Sequence, residues 1–450
     1  MKKEIDMLHG SLWDKLVLFA LPMAATSILQ QLFTATDLAV VGHFESSTAM
    51  AAVGSNAPLI NLLIGLFIGL SVGANVLIAS IIGKGKREEI PDAVHTVISV
   101  ALISGAILLA AGELVAPRML LFMNTPVKVL PLAQLYLRIY FLGMPFFMLY
   151  NFGSAILRSK GDSTRPLLSL ASAGLINVAG DLVLVIIFRM GVAGVAIATI
   201  SSMGVNAWMT LHFLKKEENE FHFTWKRLCL RGIFLRKILA IGVPAGLQGV
   251  IFSLSNVVIQ SAINSFGPTC VAGMTAGQNF EYITYFVINA FAQTAVTFTS
   301  QNFAAGDKER CKKVCRLSMI EGMLGAAIVG STFALGRHTF IRIFTNDPAV
   351  MSYAYVRILF VAMLELMTGV YEITGGCLRG MGHSLMPTIL TMLGCCGFRL
   401  VWIATAFQKW RSVRTLMAVY PITWAITGTA VTILYLRVRK KEFARMGAGA

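Results

Sequence analysis

Apolar windows of more than about 18 residues recur along this chain from Leu12 to Leu436, each long enough to cross the hydrocarbon core of a bilayer as a helix. A β-barrel is excluded, because its strands alternate in polarity whereas these runs are apolar throughout. The composition agrees: 56% of the residues are hydrophobic and 13% charged, against about a quarter charged in a soluble domain. The fold class is an all-α polytopic membrane protein.

Charged or turn-rich breaks divide the apolar sequence into about twelve spans, roughly 14–40, 53–82, 92–115, 131–156, 166–189, 192–214, 237–264, 273–302, 312–336, 350–377, 385–407 and 413–437. The longest polar break, Lys215 to Lys237, contains KKEENEFHF and WKRLCLRG and separates six spans from six. The expected domains are an amino-terminal six-helix lobe (1–214), a cytoplasmic linker (215–237) and a carboxyl-terminal six-helix lobe (238–450). The halves repeat. A shift of 221 residues carries Leu157 and Arg158 onto Leu378 and Arg379, Gly161 onto Gly382, and Pro166 onto Pro387. It also carries Gly85-Lys86-Arg87-Glu88 onto Gly306-Asp307-Lys308-Glu309, and a shift of 222 brings Pro22 onto Pro244. Several matches at nearly constant offset indicate two homologous bundles. Six spans is an even number, so the bundles are parallel repeats about an axis along the membrane normal.

The net charge of +16 does not signal nucleic acid, since the basic residues sit in short loops and form no stripe with interleaved aromatics. They set orientation instead. With the amino terminus inside, 27 of the 38 Lys and Arg fall in or beside cytoplasmic segments, eight fall outside, and Arg138, Arg357 and Arg399 lie in spans. Both termini and the linker are therefore expected in the cytoplasm. The first apolar stretch is too long for a secretory signal and lacks a cleavage site, so it reads as a retained helix. The seven cysteines form no CxxC and read as small apolar fillers.

Two acids stand out inside this apolar sequence. An acid at membrane depth costs roughly 2.5–3.5 kcal/mol and is rare unless it faces protein or water. Asp37 lies late in the outward-running first span, and Asp181 late in the outward-running fifth. Both therefore belong to the extracellular half. Asn177 is one turn before Asp181 on the same face, and Thr199 lies early in the sixth span, which starts outside. Each alone would read as helix–helix hydrogen bonding; together they read as a cation site. Two neighbouring carboxylates in a low dielectric cannot both ionise cheaply, so such a pair holds a proton or sheds it when a cation arrives. Hard oxygen ligands also suit Na⁺, and the sequence leaves H⁺ and Na⁺ both open.

The second half carries Glu281, Glu321, Glu365 and Glu372 in its spans. Glu281, Glu365 and Glu372 are secondary site candidates, with ion pairing to Arg357 or Arg399 as the structural alternative; Glu321 reads as structural. Pro22, 15 residues before Asp37, reads as a static kink or as a hinge. A substrate cavity is sketched by Gln30, Phe33 and Thr34 in the first span, Gln248 and Asn256 in the seventh, and Gln278 in the eighth. With 22 methionines the chain offers a soft surface for aromatic cations. Walker A, HExxH and GxSxG motifs are absent, so no enzyme is expected.

The chain resembles the multidrug and toxic compound extrusion (MATE) transporters, in the DinF-like bacterial branch. The resemblance rests on QQLFTATDLAVVGHF ending at Phe44, AILRSKGDSTRP at 155–166 with its partner GCLRGMGHSLMP at 376–387, NVAGDLVLV at 177–185, GVAGVAIATI at 191–200, and TSQNFAAGDKER at 299–310. It implies two six-helix lobes around a V-shaped central cavity and export of organic cations or amphiphiles in exchange for H⁺ or Na⁺. It implies no cofactor beyond that ion, no other metal, a monomer among membrane lipids, and a bacterial inner membrane location. The family's amino-lobe cation site matches Asp37, Asn177, Asp181 and Thr199, and its first-span proline matches Pro22. NorM-like members place an acid in the tenth span where this chain has Thr368. A lipid-linked oligosaccharide flippase and a non-transporting receptor or scaffold stand as alternatives; scarce intramembrane lysine and the outward-half acids disfavour the flippase.

Overall fold

A computed structural model of the chain describes residues 4–122 and 125–448; Lys2 and Lys3, counted above on the cytoplasmic side, lie outside them. Regular structure among the described residues is helical throughout. In order the helices are α1 (Trp13–Phe44), α2 (Ser47–Gly54), α3 (Ala57–Gly83), α4 (Ile90–Phe122), α5 (Leu130–Leu142), α6 (Met144–Ser159), α7 (Thr164–Asp181), α8 (Gly191–Lys215) and α9 (Gly232–Asn264). Then follow α10 (Pro268–Ala304), α11 (Lys308–Leu335), α12 (Arg337–Arg342), α13 (Pro348–Arg357), α14 (Thr368–Gly380), α15 (Leu385–Thr391), α16 (Phe398–Ala404), α17 (Ala406–Lys409) and α18 (Val413–Ala448). Ten helical spans among the described residues are apolar and long enough to cross a membrane, and the bent pair α5–α6 makes an eleventh. The twelfth expected span, α10, is 37 residues long but outside that set. Gln278, Asn279, Glu281, Gln293 and Asn302 dilute its apolar character.

Broken spans occupy matching places in the two halves. Between α5 and α6 the chain bends by 48° at Gly143, just before Pro145, which cannot donate and disfavours helix ahead of it. At the position 221 residues on, α13 has passed into a π turn, Ile358–Ala362, and helix resumes only as the 3-10 turn Glu365–Met367. The second break occurs without a proline.

The chain forms two compact units, one of Met1–Ile5 with Ala25–Gly246 and the other of Asp6–Ala24 with Leu247–Ala450. The division falls inside α1 and inside α9. Pro22 lies two residues before Ala24 and Pro244 two before Gly246. A proline inside a helix removes one backbone bond, so each helix is weakest beside the point where it leaves one unit for the other.

In the first unit, α3 and the opening turns of α9 cross backbone to backbone. A Cβ on Gly69 would strike Gly246, and one on Gly242 would strike Leu70; glycines spaced by four allow this approach in a membrane helix pair. In the second unit, Phe19 of α1 packs edge-on against Phe298 of α10 at 5.5 Å. Asn302 and Arg310 hold the carbonyl of Met7 at 3.1 and 3.0 Å.

The repeated sequence motifs are turns. Gly85, Gly161, Gly306 and Gly382 all adopt positive φ, which only glycine takes readily. After Gly161, Asp162 accepts from the backbone N–H groups of Thr164 and Arg165 at 3.0 Å each and caps α7. Around this turn the first unit buries a charge network. Lys160 Nζ lies 2.7 Å from both Glu4 and Glu217, and Arg165 pairs with Glu217 at 2.5 Å and with Asp162. The Lys160 and Glu217 side chains are 3% and 1% exposed.

Candidate functional site

The expected cation residues converge in the first unit. α7 and α8 approach closely where a Cβ on Gly180 would meet Ala198 at 3.0 Å, which sets Asp181 beside the face of α8 that carries Thr199. α1 docks onto α7 one turn away: Gly174 leaves room for the ring of Phe33, which a side chain there would overlap. Phe33 is one turn before Asp37, and Gly174 is three residues before Asn177. The carboxyl of Asp37 thereby faces the side chains of Asp181, Asn177 and Thr199.

The geometry of this cluster is loose. Thr199 Oγ1 donates to Asp37 Oδ2 at 3.5 Å, at the limit of a hydrogen bond, and also reaches the carbonyl of Val195 at 2.9 Å. Asp37 Oδ1, both carboxyl oxygens of Asp181 and the amide nitrogen of Asn177 are buried without a well-formed hydrogen bond. Asp181 is fully buried and Asp37 is 6% exposed. Buried polar groups are normally satisfied, and here the polar groups that Asp37 meets are Asp181, Asn177 and Thr199. The oxygens of two carboxyls, an amide and a hydroxyl fit a proton or a small hard cation.

Tyr136 and Tyr140 complete the surroundings and were not singled out from the sequence. Tyr136 of α5 faces Thr199 and lies near both acids, and its ring stacks on Tyr140 at 5.8 Å. Their spacing of four in a span with few other polar groups was the available signal. The site is not duplicated. The positions 221 residues after Asn177, Asp181 and Thr199 are Phe398, Trp402 and Tyr420, and the position 222 after Asp37 is Ile259.

The remaining candidates have separate partners. In the second unit Glu281 accepts from Arg357 Nε at 2.7 Å, the structural alternative anticipated for it. Gln248 accepts from Arg379 at 2.8 Å, Asn256 from Arg399 at 3.5 Å, and Gln278 donates to Tyr282 at 2.8 Å. Glu372 is buried and feels the charge of Arg379. Glu365 is buried at the break of the tenth span, with Oε2 unpartnered. Thr34 donates to the carbonyl of Gln30 at 3.1 Å, and Pro22 lies inside α1. A cavity of about 330 Å³ opens elsewhere in the first unit, lined by Ser80, Lys84, Arg231 and Lys237 among others. It holds none of these candidates, and its ion pairs Lys86–Glu89 and Arg231–Asp92 mark a crevice between polar loops.

The position of Phe33 against Gly174 makes a prediction. Gly174→Val should force α1 away from α7 at a cost of about 1–3 kcal/mol and impair whatever the acids do. Adding Phe33→Ala should restore the helix contact. Thermal unfolding of the single and double variants tests this; equal destabilisation of both would dismiss the contact.

Comparison with known proteins agrees with this architecture. The MatE family model matches twice, over residues 22–183 and 244–404, the same offset as the internal repeat. The chain is 26% identical to the probable multidrug resistance protein YoeA of Bacillus subtilis, over 97% of this chain and 96% of that protein. It is 27% identical to the probable multidrug resistance protein NorM of Thermotoga maritima, over 86% and 84%. Among solved structures, an outward-facing multidrug resistance MATE family transporter of the MOP superfamily superposes with a TM-score of 0.88 at 21% identity, covering 99% of both chains. With two family matches spanning most of its length on a multi-pass helical fold, the chain belongs to the MatE family of membrane transporters.

Proposed function

We propose that this protein is a cation-coupled multidrug antiporter, exporting organic amphiphiles in exchange for H⁺ or Na⁺ by alternating access. The observation that carries this reading is the convergence of two buried carboxyls, Asp37 and Asp181, with Asn177 and Thr199. A structural acid at this depth would have been given a basic partner, and among the described residues neither acid has an ion pair. The named relatives, described as multidrug resistance proteins, support the substrate class.

In this mechanism the ion enters from outside and binds between Asp37 and Asp181, with Asn177 and Thr199 as neutral ligands. It neutralises the pair and favours the state that releases substrate. Loss of the ion inside restores substrate affinity, so the two ligands compete through one conformational equilibrium. Pro22 serves as the hinge in α1. The protein sits in the bacterial cytoplasmic membrane as a monomer with both termini inside.

The test uses purified protein in proteoliposomes, following ethidium under an imposed H⁺ gradient and then a Na⁺ gradient. Movement driven by one gradient identifies the coupling ion. Movement indifferent to both gradients would reject coupling, and would favour a flippase or a non-transporting role.

A further inference from the structure

The second unit contains a buried cation whose surroundings do not account for it. Arg399 of α16 is 3% exposed. Among the described residues no carboxylate lies within ion-pair distance of it. Its Nε has no hydrogen-bond partner, and its one side-chain hydrogen bond, to Asn256 Oδ1, is long at 3.5 Å. Its guanidinium lies over the ring of Tyr420, 4.3 Å from the centroid, which orients the plane and leaves Nε without an acceptor.

The other buried arginines of the unit are treated differently. Arg357 is tied to Glu281 at 2.7 Å, and Arg379 donates to Gln248 at 2.8 Å. Glu365 lies near Arg399 and Arg357 without an ion pair to either, and its Oε2 is also unpartnered. The guanidinium is held in place and short of acceptors. Asn256, the residue that meets it, is exposed.

We propose that Arg399, oriented by Tyr420 and flanked by Asn256, binds an anionic group of the transported molecule, a carboxylate or a phosphate. Planar guanidinium groups present paired N–H donors that match these oxyanions. The proposal rests on the transporter reading above and adds to its substrates amphiphiles that carry a negative group, alone or beside a positive one. A substrate oxyanion supplies the acceptors that Glu365 does not.

The test compares rhodamine B, which has a free carboxylate, with its ethyl ester, which has the same ring system and no negative group. Binding to the purified protein in detergent is read by fluorescence anisotropy, and gradient-driven movement of both dyes is followed in proteoliposomes. Wild-type protein should bind rhodamine B at least about tenfold tighter than the ester, a preference expected of a charge-assisted hydrogen bond. Arg399→Gln should abolish that preference while leaving ester binding unchanged, and Arg399→Lys should keep part of it. Equal wild-type affinity for the two dyes overturns the proposal without reliance on any variant. If the ester alone is moved by the gradient, the anion site is wrong and the antiporter stands. If rhodamine B binds preferentially but neither dye responds to a gradient, the anion site stands and the coupled reading falls.

Discussion

Asp37→Asn and Asp181→Asn should each abolish gradient-driven export while the protein still inserts and folds. The two carboxyls face one another in the first unit, with three of their four oxygens buried and unpartnered. Asparagine keeps the shape and removes the ability to exchange a proton or charge. Couplings between sites are worth about 1–3 kcal/mol, or 5–150-fold, so coupled transport should fall by at least about tenfold. Stability should move the other way. An amide in place of one carboxyl adds a donor beside the other, and like charges are no longer opposed, so thermal unfolding in detergent should hold or shift upward. A structural acid would give the reverse pattern of lost stability and retained transport. Normal export by both variants would remove this cluster from the mechanism.

Glu217→Ala should be the most destabilising of the substitutions described. Glu217 joins Lys160 and Arg165 in a network where two side chains are almost wholly buried. Removing one partner of a buried pair leaves an uncompensated charge and costs about 3–5 kcal/mol. Lys160 would keep only Glu4, which is 39% exposed. The same residue sets an acid limb. Burial works to raise the Glu217 carboxyl, but hydrogen bonds and charge from Lys160 and Arg165 outweigh it and hold the group below its ordinary 4.5. A carboxyl lowered in the folded state contributes stability that is complete above the unfolded value and is lost as pH falls through the folded one. Wild-type protein should therefore lose stability on acidification below about pH 4.5, and Glu217→Ala should lose less over the same window. Parallel acid profiles for the two proteins would show that this network does not control the limb.

Much of this architecture is legible in the amino-acid sequence because the bilayer imposes it. Uninterrupted apolar length alone locates eleven of the spans, and an offset read from a few turn glycines coincides with the two family matches. Those glycines were visible because a positive φ tolerates few other residues. Asp37, Asn177, Asp181 and Thr199 were brought together by depth, since a known direction of travel converts sequence position into height. Azimuth was not available in the same way. Tyr136 shares that height, but nothing in sequence told which way it faced. The breaks at Gly143 and Leu364 were hidden inside apolar runs, because hydropathy is blind to backbone geometry. α10 was recognised despite its polarity because its apolar residues still run unbroken by charge or turn signals apart from Glu281.

The passage of α1 and α9 from one unit to the other bears on how such a chain arose and how it is made. Neither unit is a continuous piece of sequence: the second includes Asp6–Ala24 from the start, and the first runs on through the linker to Gly246 inside α9. Duplication of a half-length gene accounts for two family matches at one offset. Asp6–Ala24 is made long before its partners, which begin at Leu247, so the second unit closes only after the carboxyl-terminal helices are made. Cutting the gene within 215–237 would yield two fragments, each holding a helix that the other requires, and they should assemble when expressed together and fail when expressed apart.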